Sequence, residues 1–177
     1  GIAEDSLNIV NIQGTIGASA QIGRTKGLQD AVATYGWNLL AEVPGEFTQA
    51  KGKEVMSTLL KQYDDINVVY CENDNEAFGA IEAIEDAGYH VGSDIAAGDI
   101  MVMSFDGVNK EVLSYLLQDE ISYVGECNPN QGPKVQNLIQ TLEAGKTPDK
   151  YSYMEEHAFA HDATVPSVEV DGQMYPV

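Results

Sequence analysis

Basic residues are scarce in this chain: nine Lys and Arg stand against 28 Asp and Glu, for a net charge of −19 over 177 residues. Such a surface repels phosphate backbones and anionic lipid headgroups, which excludes nucleic acid as a partner. The acidity itself serves solubility and does not specify a ligand. Long apolar runs are also missing. None approaches the roughly 20 residues that span a bilayer, and the longest, such as 66–71, are strand-sized. Cysteine occurs twice, as Cys71 and Cys127, at no metal-like spacing. Each stands at the end of a predicted strand or within two residues of it, so two buried or half-buried free thiols are expected, with a Cys71–Cys127 bridge as the alternative.

Catalytic signatures are absent too. There is no Gly-x-Ser-x-Gly elbow and no His-Glu-x-x-His pair. His90, His157 and His161 stand in loop or late regions without a paired nucleophile. The segment Gly14-Thr-Ile-Gly17-Ala-Ser19 mimics a nucleotide loop, but it lacks a third glycine and a phosphate-loop lysine. It reads as a tight turn into a helix. No enzyme activity, metal or cofactor is expected.

What the sequence does contain is an alternation. Residues 7–13 are apolar and β-branched, and 19–35 places Ile22, Leu28, Ala31, Val32 and Tyr35 at helical spacing behind Ser19 as N-cap. Strand 37–43 closes on Pro44-Gly45; Thr48 then caps a helix with the stripe Val55, Met56, Leu59, Leu60 and Tyr63. Strand 66–71 is nearly all apolar, as when both faces are covered. Helix 75–87 turns Phe78, Ile81 and Ile84 inward and stops at Gly88. Strands 100–104 and 121–125 flank a helix at 110–118, and helix 130–145 carries Val135, Leu138, Ile139 and Leu142. Short strands alternating with helices of this length predict an α/β fold with a doubly wound parallel sheet. Beyond Thr147 the rhythm fails. One or two strands are expected in 151–160, and a hairpin turn at Asp171-Gly172.

In an open α/β sheet, ligands bind beyond the carboxyl ends of the strands. The residues there are Gly14, Thr15, Ser19 and Arg24; Glu46 and Phe47; Glu72, Asn73 and Asp74; Asp106 and Gly107; and Glu126. Carboxylate, guanidinium and amide forks can each bridge two adjacent hydroxyls of a sugar. An aromatic plane suits the C–H face of its ring. Each residue also has a plainer reading: Asn73 and Asp74 as helix caps, Phe47 as a hydrophobic staple, Arg24 as a solvated charge.

At this point the residues resemble a known family, the ribose-type periplasmic sugar-binding proteins of ABC importers. The resemblance rests on Asn11-Ile-Gln-Gly14-Thr-Ile-Gly-Ala-Ser19, Arg24-Thr-Lys-Gly27-Leu28, Gly45-Glu-Phe47-Thr and Lys51-Gly-Lys-Glu-Val-Met56. It continues through Asn73-Asp74 with Ala77-Phe-Gly-Ala80, Ser104-Phe-Asp106-Gly107 and Gly125-Glu126-Cys-Asn-Pro-Asn130. Gly14-Thr-Ile-Gly-Ala-Ser19, Lys51-Gly-Lys-Glu-Val-Met56 and the acidic Glu126 resemble in particular the galactofuranose-binding proteins of that family. The resemblance implies a monosaccharide ligand, a membrane permease as partner, an extracytoplasmic location, and sugar contacts from Arg24, Phe47, Asn73 and Asp106. Glu126 stands where the ribose binders carry glutamine, which shifts the preference away from ribose. The chain opens at Gly1 with neither Met nor a secretion signal, so a processed or partial chain is expected: the C-terminal lobe of a two-lobed protein. Residues 1–126 would form that lobe, 127–164 a crossover helix and strand reaching the other lobe, and 165–177 a tail of no assigned role. The apolar stripe of helix 130–145 would be free to pair with another copy of the chain. A LacI-like repressor's effector domain is the alternative, disfavoured by the acidity and by the Glu126-Cys-Asn-Pro-Asn130 segment.

Overall fold

A computed structural model of the chain describes residues 6–161 and the backbone of two further strands, Ser167–Val170 and Gln173–Pro176. Strands and helices alternate: β1 (Asn8–Gln13), α1 (Ser19–Tyr35), β2 (Asn38–Pro44), α2 (Gln49–Gln62), β3 (Val68–Cys71) and α3 (Asp74–Asp86). After a 3₁₀ turn at Ile95–Ala97 come β4 (Met101–Asp106), α4 (Lys110–Leu117), β5 (Tyr123–Glu126), α5 (Gly132–Glu143) and β6 (Ala158–Ala160). The last two strands, β7 (Ser167–Val170) and β8 (Gln173–Pro176), pair antiparallel as a separate sheet. The expected Asp171-Gly172 turn between them lies outside the described residues, as does the end of the 127–164 segment. Only Ala158–Ala160 of the 151–160 region is a strand.

The main sheet runs β2-β1-β3-β4-β5-β6. All its neighbours are parallel except β6, which joins β5 antiparallel. The alternation along each strand sorts side chains to two faces. Val10, Ile12, Val69, Cys71, Val102 and Val124 pack with Val55, Met56 and Leu59 of α2, Phe78, Ile81 and Ile84 of α3, and Val112 of α4. Each such fully buried aliphatic side chain contributes about 1.5–3 kcal/mol. Helices α2 and α3 approach closely because Gly79 lacks a side chain: a Cβ there would lie 2.1 Å from the carbonyl oxygen of Gln49. On the opposite face Ile9, Val68 and Tyr70 pack with Leu28 of α1. Helices on both faces make the sheet doubly wound, as expected.

Two local expectations change. Ser19 is the first residue of α1, not its cap; Ala18 holds that position with no side-chain bond. The buried face of α1 is Gln21, Thr25 and Leu28, while Ile22 and Tyr35 are exposed. That face is largely polar because it covers the polar end of β1. Helix α5 buries none of its residues, so its stripe of Val135, Ile139 and Leu142 faces outward. Among the described residues no helix is long and apolar enough to cross a membrane.

Candidate functional site

The carboxyl ends of the parallel strands lie side by side, so the sheet order sets the order of the rim: Phe47 after β2, Gly14 after β1, Asn73 after β3, Asp106 at the end of β4, Glu126 at the end of β5. Arg24, the chain's one arginine, reaches this edge from α1. Its Nη2 donates to Asp106 Oδ1 at 2.7 Å, with the two side chains 12% and 29% exposed. Its Nη1 donates to the carbonyl oxygen of Glu72. The guanidinium carbon lies 5.2 Å from the centre of the Phe105 ring, a cation–π contact. Arg24 is therefore clamped rather than a solvated charge. A fork held this way retains N–H groups for a ligand at little further entropic cost.

Asp106 has φ of 99°, in the region that L residues rarely adopt, and Gly107 follows at 64°. Strain of this kind persists only where the surroundings over-determine it. Here the salt bridge and a 2.9 Å bond from Cys127 N–H to the Asp106 carbonyl oxygen do so. The turn that presents Phe47 is also left-handed, with φ of 58° at Glu46 and 61° at Phe47. Two buried side chains hold it. Glu76 Oε1 accepts from Phe47 N–H at 2.8 Å, and Asn73 Nδ2 donates to the Phe47 carbonyl at 3.2 Å. Asn73 Oδ1 accepts from Glu76 N–H at 2.9 Å as the N-cap of α3. The cap reading of Asn73 is thus correct, and the residue also positions Phe47. A staple for Phe47 would need an apolar partner at the fourth position of α2, which is Gly52. The ring packs instead on Gly14.

Two rim acids are not accessible. Glu72 is fully buried, accepting from Gly14 N–H at 2.9 Å, Thr25 Oγ1 at 2.5 Å and Asn11 Nδ2 at 3.2 Å. Asp74 is buried with Ser104 Oγ donating to it at 2.6 Å, and burial raises its carboxyl above the ordinary range. Burial also pushes the Glu76 carboxyl up to about 8. These acids hold the rim together, and neither Glu72 nor Asp74 is available as an acid or base toward a ligand.

Arg24 and Glu126 line an open groove of about 520 Å³ together with Ser19, Phe105, Cys127 and His157. Of the five residues named from sequence, Arg24 bonds to Asp106 and shares this groove with Glu126, while Asn73 and Phe47 form a second pair joined to it through the Glu72 carbonyl. Cys127 is free and exposed rather than buried or half-buried, and Cys71 is free and buried. Sequence reasoning missed Glu76 and His157. An acid in the first turn of a predicted helix looks solvated, and nothing local ties His157 to Glu126. Among the described residues no cluster of His, Cys, Asp and Glu could hold a metal ion.

Comparison with known proteins bears on this geometry. The family model described as "Periplasmic binding protein domain" matches residues 2–147. The galactofuranose-binding protein YtfQ of Escherichia coli (strain K12) is 33% identical over 167 residues, covering 92% of this chain and 51% of that protein. A Mycobacterium smegmatis protein solved in complex with β-D-fucofuranose is 32% identical, with a TM-score of 0.77 over 88% of this chain and 49% of that one. The periplasmic binding protein component of the arabinose ABC transporter from Shewanella sp. ANA-3, bound to α- and β-L-arabinofuranose, is 30% identical. Its TM-score is 0.79, over 89% of this chain and 51% of that one. The chain spans about half the length of these relatives.

Proposed function

We propose, from the premise that this chain belongs to the periplasmic binding protein family, that it forms one wall of a monosaccharide site in the solute-binding component of an ABC sugar importer. The observation that carries the reading is the Arg24 fork, clamped by Asp106 and the Glu72 carbonyl beside a groove that also presents Glu126. Paired donors and acceptors at fixed spacing suit adjacent ring hydroxyls. Phe47 supplies a flat apolar face at the same rim. The sugars named with three relatives are galactofuranose, fucofuranose and arabinofuranose, which favours a furanose ring.

In this reading Arg24, Phe47, Asn73, Asp106 and Glu126 serve the ligand, and no residue is catalytic. Residues 1–126 are the lobe and 127–164 the crossover to its partner lobe; the protein works outside the cytoplasm and delivers to a membrane permease. Two of the relatives named above, YtfQ and the Shewanella protein, are named as binding proteins, and that favours the importer over a LacI-like repressor. The outward stripe of Val135, Ile139 and Leu142 on α5 makes self-association of the 177-residue chain an expected outcome, read as a species larger than monomer in light scattering.

Calorimetric titration tests the function. The full-length protein should bind at least one of L-arabinose, D-galactose, D-fucose and D-ribose at micromolar or tighter affinity, without converting it. The 177-residue chain alone should bind no tighter than about millimolar, because one wall leaves the ligand open to competing water. A full-length protein indifferent to every sugar would overturn the reading.

A further inference from the structure

One polar unit of the groove remains without a role. Antiparallel pairing of β6 with β5 brings His157, the residue ahead of β6, opposite Glu126 at the end of β5. Glu126 N–H donates to the His157 carbonyl at 2.8 Å. Glu126 Oε2 accepts twice, from His157 N–H at 2.9 Å and from His157 Nδ1 at 2.7 Å. A carboxylate oxygen only accepts, so Nδ1 carries a hydrogen. That places the second ring nitrogen, Nε2, on the far side of the imidazole, where it makes no hydrogen bond among the described residues. The ring lines the groove, and its side chain is 50% exposed.

We propose that His157 is a specificity-determining residue of this groove. It commits Oε2 of Glu126, which leaves Oε1 to accept from one ligand hydroxyl, and its own Nε2 engages a neighbouring hydroxyl. This rests on the reading of the groove as a sugar site. The backbone bonds between β5 and β6 already tie the strands together, so the side-chain contact is not needed for the fold. The other charged or titratable groups around the pair are Arg24, Cys127, Glu156 and Tyr123 in the groove wall, with Asp106 bonded to Arg24. A site built to bond a hydroxyl discriminates against the analogue lacking it, because the site's own polar groups are then left unpaired.

The test is calorimetry on the full-length protein, using whichever of L-arabinose, D-galactose, D-fucose and D-ribose binds tightest, and each of its monodeoxy analogues. His157→Leu should weaken binding of the parent sugar about 3- to 10-fold, the effect of one hydrogen bond. It should leave one monodeoxy analogue unaffected, so that the preference over that analogue alone shrinks. His157→Gln, which can still donate to Glu126 and offer a second polar atom, should restore part of the preference. In the unsubstituted protein, saturating sugar should also shift the Nε2 resonance of His157. Equal weakening of the parent and all its analogues, unchanged affinities, or an unmoved Nε2 resonance would each overturn the proposal. No binding of any sugar by the unsubstituted protein would overturn the sugar-site reading itself, and this proposal with it.

Discussion

The ring of Phe47 lies directly on Gly14: a Cβ at that glycine would fall 1.9 Å from Phe47 Cζ. The turn after β1 thereby sets where the aromatic face after β2 can stand. Phe47→Leu keeps apolar volume and loses the flat face, so sugar affinity should fall by about 1 kcal/mol while the melting temperature of the unliganded protein barely moves. Gly14→Ala should displace the ring and lower both affinity and melting temperature. Introduced into Phe47→Leu, the same alanine should cost less than it does alone, which a double-mutant cycle measures.

Asp106 accepts from Arg24 through Oδ1, and in the proposed reading Oδ2 serves ligand hydroxyls. Hydrogen bonds to a charged group are worth roughly 1.5–3 kcal/mol each, so Asp106→Ala should weaken sugar binding about 10- to 1000-fold. Alanine at a φ of 99° adds backbone strain, so Asp106→Asn is the companion variant. It should fold as well as the parent and still lose affinity by calorimetry. Unchanged affinity in both would remove Asp106 from the site.

Glu76 makes a pH prediction. Burial raises its carboxyl from an ordinary 4.5 to about 8 in the folded state. Between those values the folded chain holds a proton that the unfolded chain has released. Stability from this group is therefore fully present below about 4.5 and is lost as the pH rises through about 8. Glu76→Gln keeps an oxygen to accept from Phe47 N–H and has no proton to lose. Thermal melts from pH 5 to 8.5 should show the variant gaining on the parent as pH rises. Parallel curves would mean that Glu76 does not titrate in this range.

The two thiols should separate cleanly. Cys71 is buried, and burial pushes its thiol well above the ordinary value. Cys127 is exposed on the groove wall; partial burial, then Glu156, raises its thiol less. Ellman's reagent should titrate one thiol per native chain and two in denaturant. Bound sugar should slow the native reaction by covering Cys127. Equal rates with and without a saturating sugar would put the ligand outside this groove.

Much of the fold was legible before the tertiary structure. The stripe Val55, Met56 and Leu59, the inward set Phe78, Ile81 and Ile84, and the all-apolar β3 are buried as their spacing required. Periodicity misplaces the buried face of α1 because it sees only apolar residues, and that face includes Gln21 and Thr25. Gln13 and Gln21 donate to Thr25, which donates to Glu72. A polar network of this kind is recognisable only once its partners stand opposite one another.

The alternation of strands and helices, and hence a parallel sheet whose carboxyl edge carries the informative residues, followed from local pattern alone. The motifs around Arg24, Asn73-Asp74 and Asp106-Gly107 added the family. What pattern could not decide was which rim acids stay accessible. Glu72 and Asp74 are as polar as Asp106 and Glu126, yet the first two are buried against neighbours from strands and helices distant in sequence. Asp106 and Glu126 retain exposure beside Arg24 and His157. Burial depends on which segments meet across the sheet, and contacts such as Arg24–Asp106, 82 positions apart, exist only after the chain has closed them.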